Sequence, residues 1–124
     1  MIHNVFGDID FNVGWKTTKS IVLFGQSYVV TVKIHAYFEE DGITEEQENA
    51  YIDFISSEET KMNCVEKMLK EYSDFAQEQF IPRTLLMNRD GSYALLFDDR
   101  DNEDEGIAVC LDPEEKIVSQ DDYL

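Results

Sequence analysis

The sequence predicts an α+β domain: a mainly antiparallel β-sheet with a two-helix insertion packed on one face. Three observations carry that prediction. Strict alternation from Val30 to Phe38 marks a strand with one buried face. Two segments of helical period, Thr44–Ser56 and Ser57–Ala76, follow with almost no linker. β-rich runs separated by tight turns then return and continue to the end of the chain. Strands, then helices, then strands joined by short turns define the α+β class.

Val5 to Asn12 reads as a short strand. "KSIVLFGQSYVVTVKIHAYF" reads as a hairpin turned at Gly25-Gln26, where glycine supplies a positive φ. In its second strand Val30, Val32, Ile34, Ala36 and Phe38 share one face, and Thr31, Lys33, His35 and Tyr37 the other. Thr44 is placed to cap the first helix, with Gln47 reaching back, and Glu45 and Glu46 sit where the helix dipole favours anions. Ala50, Tyr51, Phe54 and Ile55 form its apolar stripe. Ser56 with Glu59, or Ser57 with Thr60, offers a cap for the second helix. Met62, Val65, Met68, Leu69, Tyr72, Phe75 and Ala76 fall on one face of that helix, and Pro82 marks its end. "RTLLM" and "SYALLF" flank the turn-forming Asn88-Arg89-Asp90-Gly91, and "GIAVCL" and "KIVSQ" flank Asp112-Pro113-Glu114-Glu115, giving two further hairpins.

A chain of 124 residues, 43% of them hydrophobic, builds one core and therefore one domain, residues 1–124. No stretch approaches the roughly 18 apolar residues of a membrane span. The N-terminus lacks a basic region followed by an apolar one, so no secretory signal is expected. Cys64 and Cys110 stand in no metal or redox spacing and read as reduced, buried thiols of a cytoplasmic protein.

The formal net charge is −17, and it is unevenly placed. Residues 1–38 sum to +1, from Asp8 and Asp10 against Lys16, Lys19 and Lys33, which leaves −18 on the rest. Such a surface repels nucleic acid and anionic lipid, because phosphate is bound by Lys and Arg. It attracts cations and basic proteins. The charge is densest in "LFDDRDNEDEGIAVCLD". Asp98, Asp99, Asp101, Glu103, Asp104 and Glu105 put six carboxylates in eight positions, ahead of an apolar run that reads as a buried strand. The segment is expected to be a solvated acidic loop, a calcium loop or a docking surface for a basic partner.

The calcium reading is the nearest to a motif. Asp101, Glu103, Glu105, Gly106 and Asp112 fall at positions 1, 3, 5, 6 and 12 of the EF-hand spacing. Glu stands at positions 3 and 5, Asp at position 12, and the flanks read as strands, so no metal site is assigned. Nor does an enzyme site assemble. His3 lies near a terminus expected to be loose and His35 on the polar face of a strand, and no Cys–His or Ser–His arrangement is legible. No phosphate-binding glycine loop is present. No catalytic residue and no cofactor is expected.

The closing segment "DNEDEGIAVCLDPEEKIVSQDDYL" resembles the end of several families of small acidic bacterial proteins: an acidic run with Glu before Gly, an apolar strand, a turn, "IV" and a polar tail. The "ITEEQENAYIDFI" helix and the order of elements over residues 19–124 are similar too. Residue by residue the likeness reaches Thr44, Gln47, Ala50 and Tyr51 on the helix and Glu105, Gly106 and Val109 at the strand. These families include cytosolic domains and immunity proteins of polymorphic-toxin and contact-dependent-inhibition systems. The resemblance implies a stoichiometric inhibitor that neutralises a cognate toxin, the toxin being a protein with a basic, nuclease-like surface. The six carboxylates from Asp98 to Glu105 are the expected contact. A non-catalytic cytosolic binding module of another ligand is the alternative.

Overall fold

In the computed structural model, which describes residues 1–124, the order of the strands along the chain is also their order across the sheet. β1 (Ile2–His3) and β2 (Gly7–Asp8) pair as a small separate ribbon. The main sheet contains β3 (Asp10–Phe11), β4 (Trp15–Leu23), β5 (Gln26–Ile34), β6 (Phe80–Met87), β7 (Tyr93–Asp99), β8 (Asn102–Asp112) and β9 (Lys116–Ser119). Between β5 and β6 the chain crosses over through α1 (Glu45–Ser56), α2 (Glu58–Tyr72) and the short α3 (Ala76–Gln79); α4 (Gln120–Tyr123) ends it. That crossover makes β5 and β6 the single parallel pair, with Thr31–Ile34 beside Thr84–Met87. The sheet is otherwise antiparallel, so the α+β expectation with inserted helices holds. No helix is long and apolar enough to cross a membrane.

The alternation in β5 sets the register. Val30, Val32 and Ile34 are buried on the helix side, and the same core takes Met62, Val65 and Leu69 from α2 and Ala76 from α3. Alternation continues as far as Ala36, which is buried, but β5 has ended by then and Phe38 lies 62% exposed. The stripe on α2 is shorter than expected for the same reason. The helix stops at Tyr72, and Tyr72 and Phe75 face solvent.

The hairpin turn lies one residue earlier than Gly25-Gln26. Leu23 pairs with Gln26, so Phe24 and Gly25 are the central residues, with φ of 53° and 73°. Two successive positive φ values are those of a type I′ turn, whose twist matches the strands it joins. A non-glycine residue costs about 1 kcal/mol in that conformation. Phe24 offsets the cost by packing on the core with the Lys70 ammonium 5.7 Å from its ring centre.

The capping box of α1 forms as its spacing predicts. Gln47 N donates to Thr44 Oγ1 (3.1 Å) and Thr44 N donates to Gln47 Oε1 (2.9 Å). Gln47 is also fully buried. Its Nε2 donates to the carbonyls of His35 (2.9 Å) and Met87 (3.2 Å), tying the ends of β5 and β6 to the helix start. Tyr51 and Phe54 bury the rest of the face, whereas Ile55 is 43% exposed. No side chain caps α2; Ser57 Oγ instead donates back to Asp53 O, closing α1.

Three other elements differ from expectation. Val5–Asn12 forms no continuous strand but splits into β2 and β3 around the buried Ile9. Pro82 does not end a helix; it lies inside β6, beyond the stretch paired with β5, where no neighbour needs its missing N–H. A bulge at Arg83 then restores the register with β7. Finally, the acidic stretch is not a loop. β7 runs to Asp99 and β8 starts at Asn102, so only Arg100 and Asp101 turn the chain.

The sheet also has a covered second face. Tyr93 to Phe97 and Ile107 to Leu111 are buried on both sides. Leu86, Ala94, Leu96, Ala108 and Cys110 form a separate core beneath Val118 and Tyr123. The tail is locked there by Gln120 Nε2 donating to Phe97 O (2.7 Å) and by Asn88 Nδ2 donating to the Tyr123 hydroxyl (2.8 Å). Gly106 makes room for the first of these: a Cβ at that position would overlap both the Gln120 amide and the Phe97 carbonyl.

Candidate functional site

The β7–β8 hairpin tip carries the six carboxylates, and the structure sorts them into two kinds. Asp98 and Asp99 are engaged. Asp98 accepts from Arg83 Nε at 2.8 Å, both side chains more than half exposed, an arrangement that adds little stability. Asp99 holds the turn together: it accepts from Asp101 N (2.9 Å) and from Gln79 Nε2 (3.2 and 3.3 Å). Gln79 O accepts from Arg100 N (2.8 Å), and Ser73 Oγ donates to Gln79 Oε1 (2.7 Å). The tip is therefore clamped to α3. Asp101, Glu103, Asp104 and Glu105 are exposed and pair with no cation, and Arg100 among them makes no ion pair either.

The strand geometry bears directly on the calcium spacing. Asp101 precedes β8 and Asp112 ends it, eleven residues away. An extended strand separates those carboxylates instead of wrapping them around an ion. No three His, Cys, Asp and Glu side chains anywhere in the chain are grouped to hold a metal.

The titratable groups near the termini and cysteines are structural. His3 is not on a loose end: its Nδ1 accepts from Val5 N (3.0 Å) and Phe6 N (3.3 Å) and so organises the β1–β2 turn. His35 stacks edge-on with Tyr37, and its carbonyl is taken by Gln47 and Arg89. Both cysteines are free thiols, but only Cys110 is buried; Cys64, on α2, is half-exposed, against the expectation that both are buried. Burial pushes the Cys64 thiol up, and the Glu115 carboxylate, to which it donates, pushes it further. Burial does the same to Cys110, opposed by Lys116. Neither has the lowered pKa of a reactive nucleophile.

A second acidic place lies at the opposite end of β8. There α1, the β6–β7 turn and the last residue of β8 enclose an open cleft of about 330 Å³, whose lining includes Glu46, Asp53, Asp90 and Asp112. Glu46 and Asp53 lie two turns apart on one side of α1, beside its apolar stripe. Gly91, with φ of 91°, brings the turn up against the helix; a Cβ there would stand 3.1 Å from Glu46 O. Asp90 Oδ1 accepts from Ser92 N (2.9 Å) and Ser92 Oγ (2.6 Å), which holds its carboxyl below the ordinary value. Tyr93, paired with Asp112, also lines the cleft, and Lys61, which pairs with Asp53, acts on its phenol. The sequence gives one trace of this place, the i, i+7 acidic spacing on α1. The other contributors are brought together by the sheet register alone.

Comparison with family models, with curated proteins and with solved structures finds no match for the chain.

Proposed function

We propose that this protein is an immunity protein: a non-catalytic, cytoplasmic inhibitor that binds a cognate toxin one to one and covers its basic, nuclease-like surface. The observation that carries the reading is the quartet Asp101, Glu103, Asp104 and Glu105, exposed and unneutralised on a hairpin tip that Gln79 holds in place. A nuclease cleft is basic because it binds phosphate, and fixed carboxylates meet such a cleft with complementary potential. Holding the hairpin rigid lowers the ordering cost of binding. The overall excess of 27 acidic over 10 basic residues adds long-range attraction for such a partner.

The test is a comparison of association rates. The triple variant Asp101→Asn, Glu103→Gln, Asp104→Asn removes three charges that make no side-chain bond within the protein, so its folding is expected to match wild type. The partner to use is the product of the adjacent gene, co-expressed and measured by surface plasmon resonance from about 0.05 to 0.5 M salt. The wild-type chain should form a one-to-one complex and suppress that product's toxicity. The triple variant should associate about tenfold more slowly at low salt, with a flatter salt dependence. Absence of a complex would defeat the immunity reading. A complex whose rate and salt slope are unchanged in the variant would move the contact away from the hairpin.

A further inference from the structure

We infer that the outer edge of β4, together with the groove between it and α2, receives an extended basic segment of a partner protein, added to the sheet as one more strand. This is independent of the hairpin reading, since β4 and β8 lie toward opposite edges of the sheet.

The edge is open and unprotected. β3 covers only Trp15 and Lys16, and no strand lies beside residues 17–23 on that side. Leu23 and Gln26 flank a two-residue turn, so they form a hydrogen-bonded pair, and such pairs then alternate along the hairpin. Thr18, Ser20 and Val22 therefore turn their N–H and C=O groups away from β5, and all three residues are exposed. Sheet edges are ordinarily blunted by short length, a proline, a bulge or a free lysine. β4 is nine residues long and pairs with β5 in unbroken register, without proline. Beyond the part that β3 covers, its one lysine is Lys19, which Glu58 of α2 holds at 2.7 Å.

What lies beside the edge selects the guest. A groove of about 460 Å³ runs between Val22 and Gly25 on the hairpin and Glu58, Glu59, Met62 and Glu66 on α2. Met62 supplies its apolar part, and Glu59 and Glu66 pair with no cation. Lys70, one turn beyond Glu66, sits instead over the Phe24 ring, 5.7 Å from its centre. Lys19 already places an ammonium between strand and helix, 3.4 Å from the outward-facing Ser20 carbonyl and 2.7 Å from Glu58. A strand pairing with β4 presents alternate side chains to α2. Lysine or arginine at those positions meets Glu59 and Glu66 while the backbone pairs, so main-chain bonds supply affinity and side chains supply specificity. The same charges disfavour a second copy. Two-fold pairing of β4 with its own copy sets both α2 helices on one side of the joined sheet and opposes acidic groove to acidic groove.

The experiment is an amide NMR titration of the full chain at about 0.15 M salt, where diffuse surface attraction is screened. The probe is the capped peptide Thr-Arg-Val-Lys-Val-Arg-Thr, whose basic residues alternate; the control, Thr-Val-Val-Arg-Lys-Arg-Thr, has the same composition without the alternation. Saturable shifts are expected at Thr18, Ser20, Val22 and Asn63, with slowed amide exchange on the strand. The control should bind at least about fivefold more weakly. An added strand uses only one of its two backbone edges. Methylating the backbone nitrogens of both valines, or instead those of the basic residues, should therefore abolish binding in one case and spare it in the other. Glu59→Gln combined with Glu66→Gln should weaken binding about tenfold at unchanged Tm, since neither carboxylate is paired within the fold. The hairpin triple variant should bind the peptide as wild type does. Shifts that never saturate, equal binding of the control, equal effects of the two methylation patterns, or undiminished binding by the folded double variant would each overturn the inference. So would a dimer of the chain alone, seen by sedimentation and broken by Ser20→Pro, because it would make a second copy the occupant of the edge.

Discussion

The two faces of the sheet are covered by different means. On one side α1 and α2 bury a core of 24 residues, from Phe6 to Leu111. On the other a four-residue helix and the end of β9 cover only five. The large core rests on summed apolar area, to which any one side chain contributes a modest share. A helix of four residues has no stability of its own. The small core therefore depends on particular bonds, Gln120 to the Phe97 carbonyl and Asn88 to the Tyr123 hydroxyl, and on the missing side chain of Gly106. Where area is scarce, geometry decides.

A buried charge should break the large face most severely. Val32 and Leu69 are both 0% exposed and meet in the same core. Val32→Asp and Leu69→Asp should each abolish the cooperative thermal transition seen by circular dichroism. An unpaired charge there costs several kcal/mol out of a total near 5–15 kcal/mol. A wild-type Tm for either variant would disprove the packing of β5 against α2.

Gly106→Ala should injure the small face selectively. The overlap with Gln120 and Phe97 is expected to cost about 1–3 kcal/mol and several degrees of Tm. Because the tail would be displaced from Cys110, which is 3% exposed in the native fold, that thiol should react faster with a maleimide. Unchanged labelling would mean that the tail tolerates the methyl group and that its position is not set by this glycine.

The smallest effect is expected where the two faces meet. Ser92 bonds Asp90 on the cleft side and accepts from Asn88, which in turn reaches Tyr123. The hydrogen bonds from Ser92 hold the Asp90 carboxyl below the ordinary carboxylate value. A lowered carboxylate stabilises the fold above its unfolded pKa, and that contribution is lost as pH falls through the lower, folded value. Ser92→Ala should move the Asp90 carboxyl resonance midpoint up toward that of a free aspartate and change stability only in the acid range where Asp90 titrates, with neutral-pH Tm nearly untouched. A midpoint that stays put would assign the shift to the backbone N–H alone.

The contrast between the faces also explains what was legible in the sequence. Val30 to Ile34, the Thr44–Gln47 box and the Met62–Leu69 stripe are periodic, local signals, and each appears in the structure as its spacing implies. "YALLF" and "IAVCL" are apolar at successive positions, which is the pattern of strands covered on both sides. The element that covers them, "SQDDYL", has no amphipathic period, since it docks by two hydrogen bonds and one ring. The turn at Phe24-Gly25 was displaced by one residue because nothing local signals an aromatic residue at positive φ; Lys70, far along the chain, helps to hold it. Pro82 resembles a helix terminator until β6 is seen to run past the end of its pairing with β5. The hairpin carboxylates are plain in the sequence, but their division into two engaged and four free depends on Gln79 and Arg83, which only folding brings near. The second acidic place is almost illegible, because its residues come from three separate elements.

That each strand of the main sheet lies beside its neighbour in sequence has a further consequence, for how the chain finds its fold. β3 to β5 and β6 to β9 are two runs whose contacts are almost all local, and hairpins of this kind close with little loss of chain entropy. Only the parallel seam, where Thr31 meets Thr84, requires distant parts of the chain to be brought together. The entropic cost of the topology is thus concentrated in one joining event between two locally assembled halves. Gln47, bonded at once to the carbonyls of His35 and Met87, stands at the end of that seam.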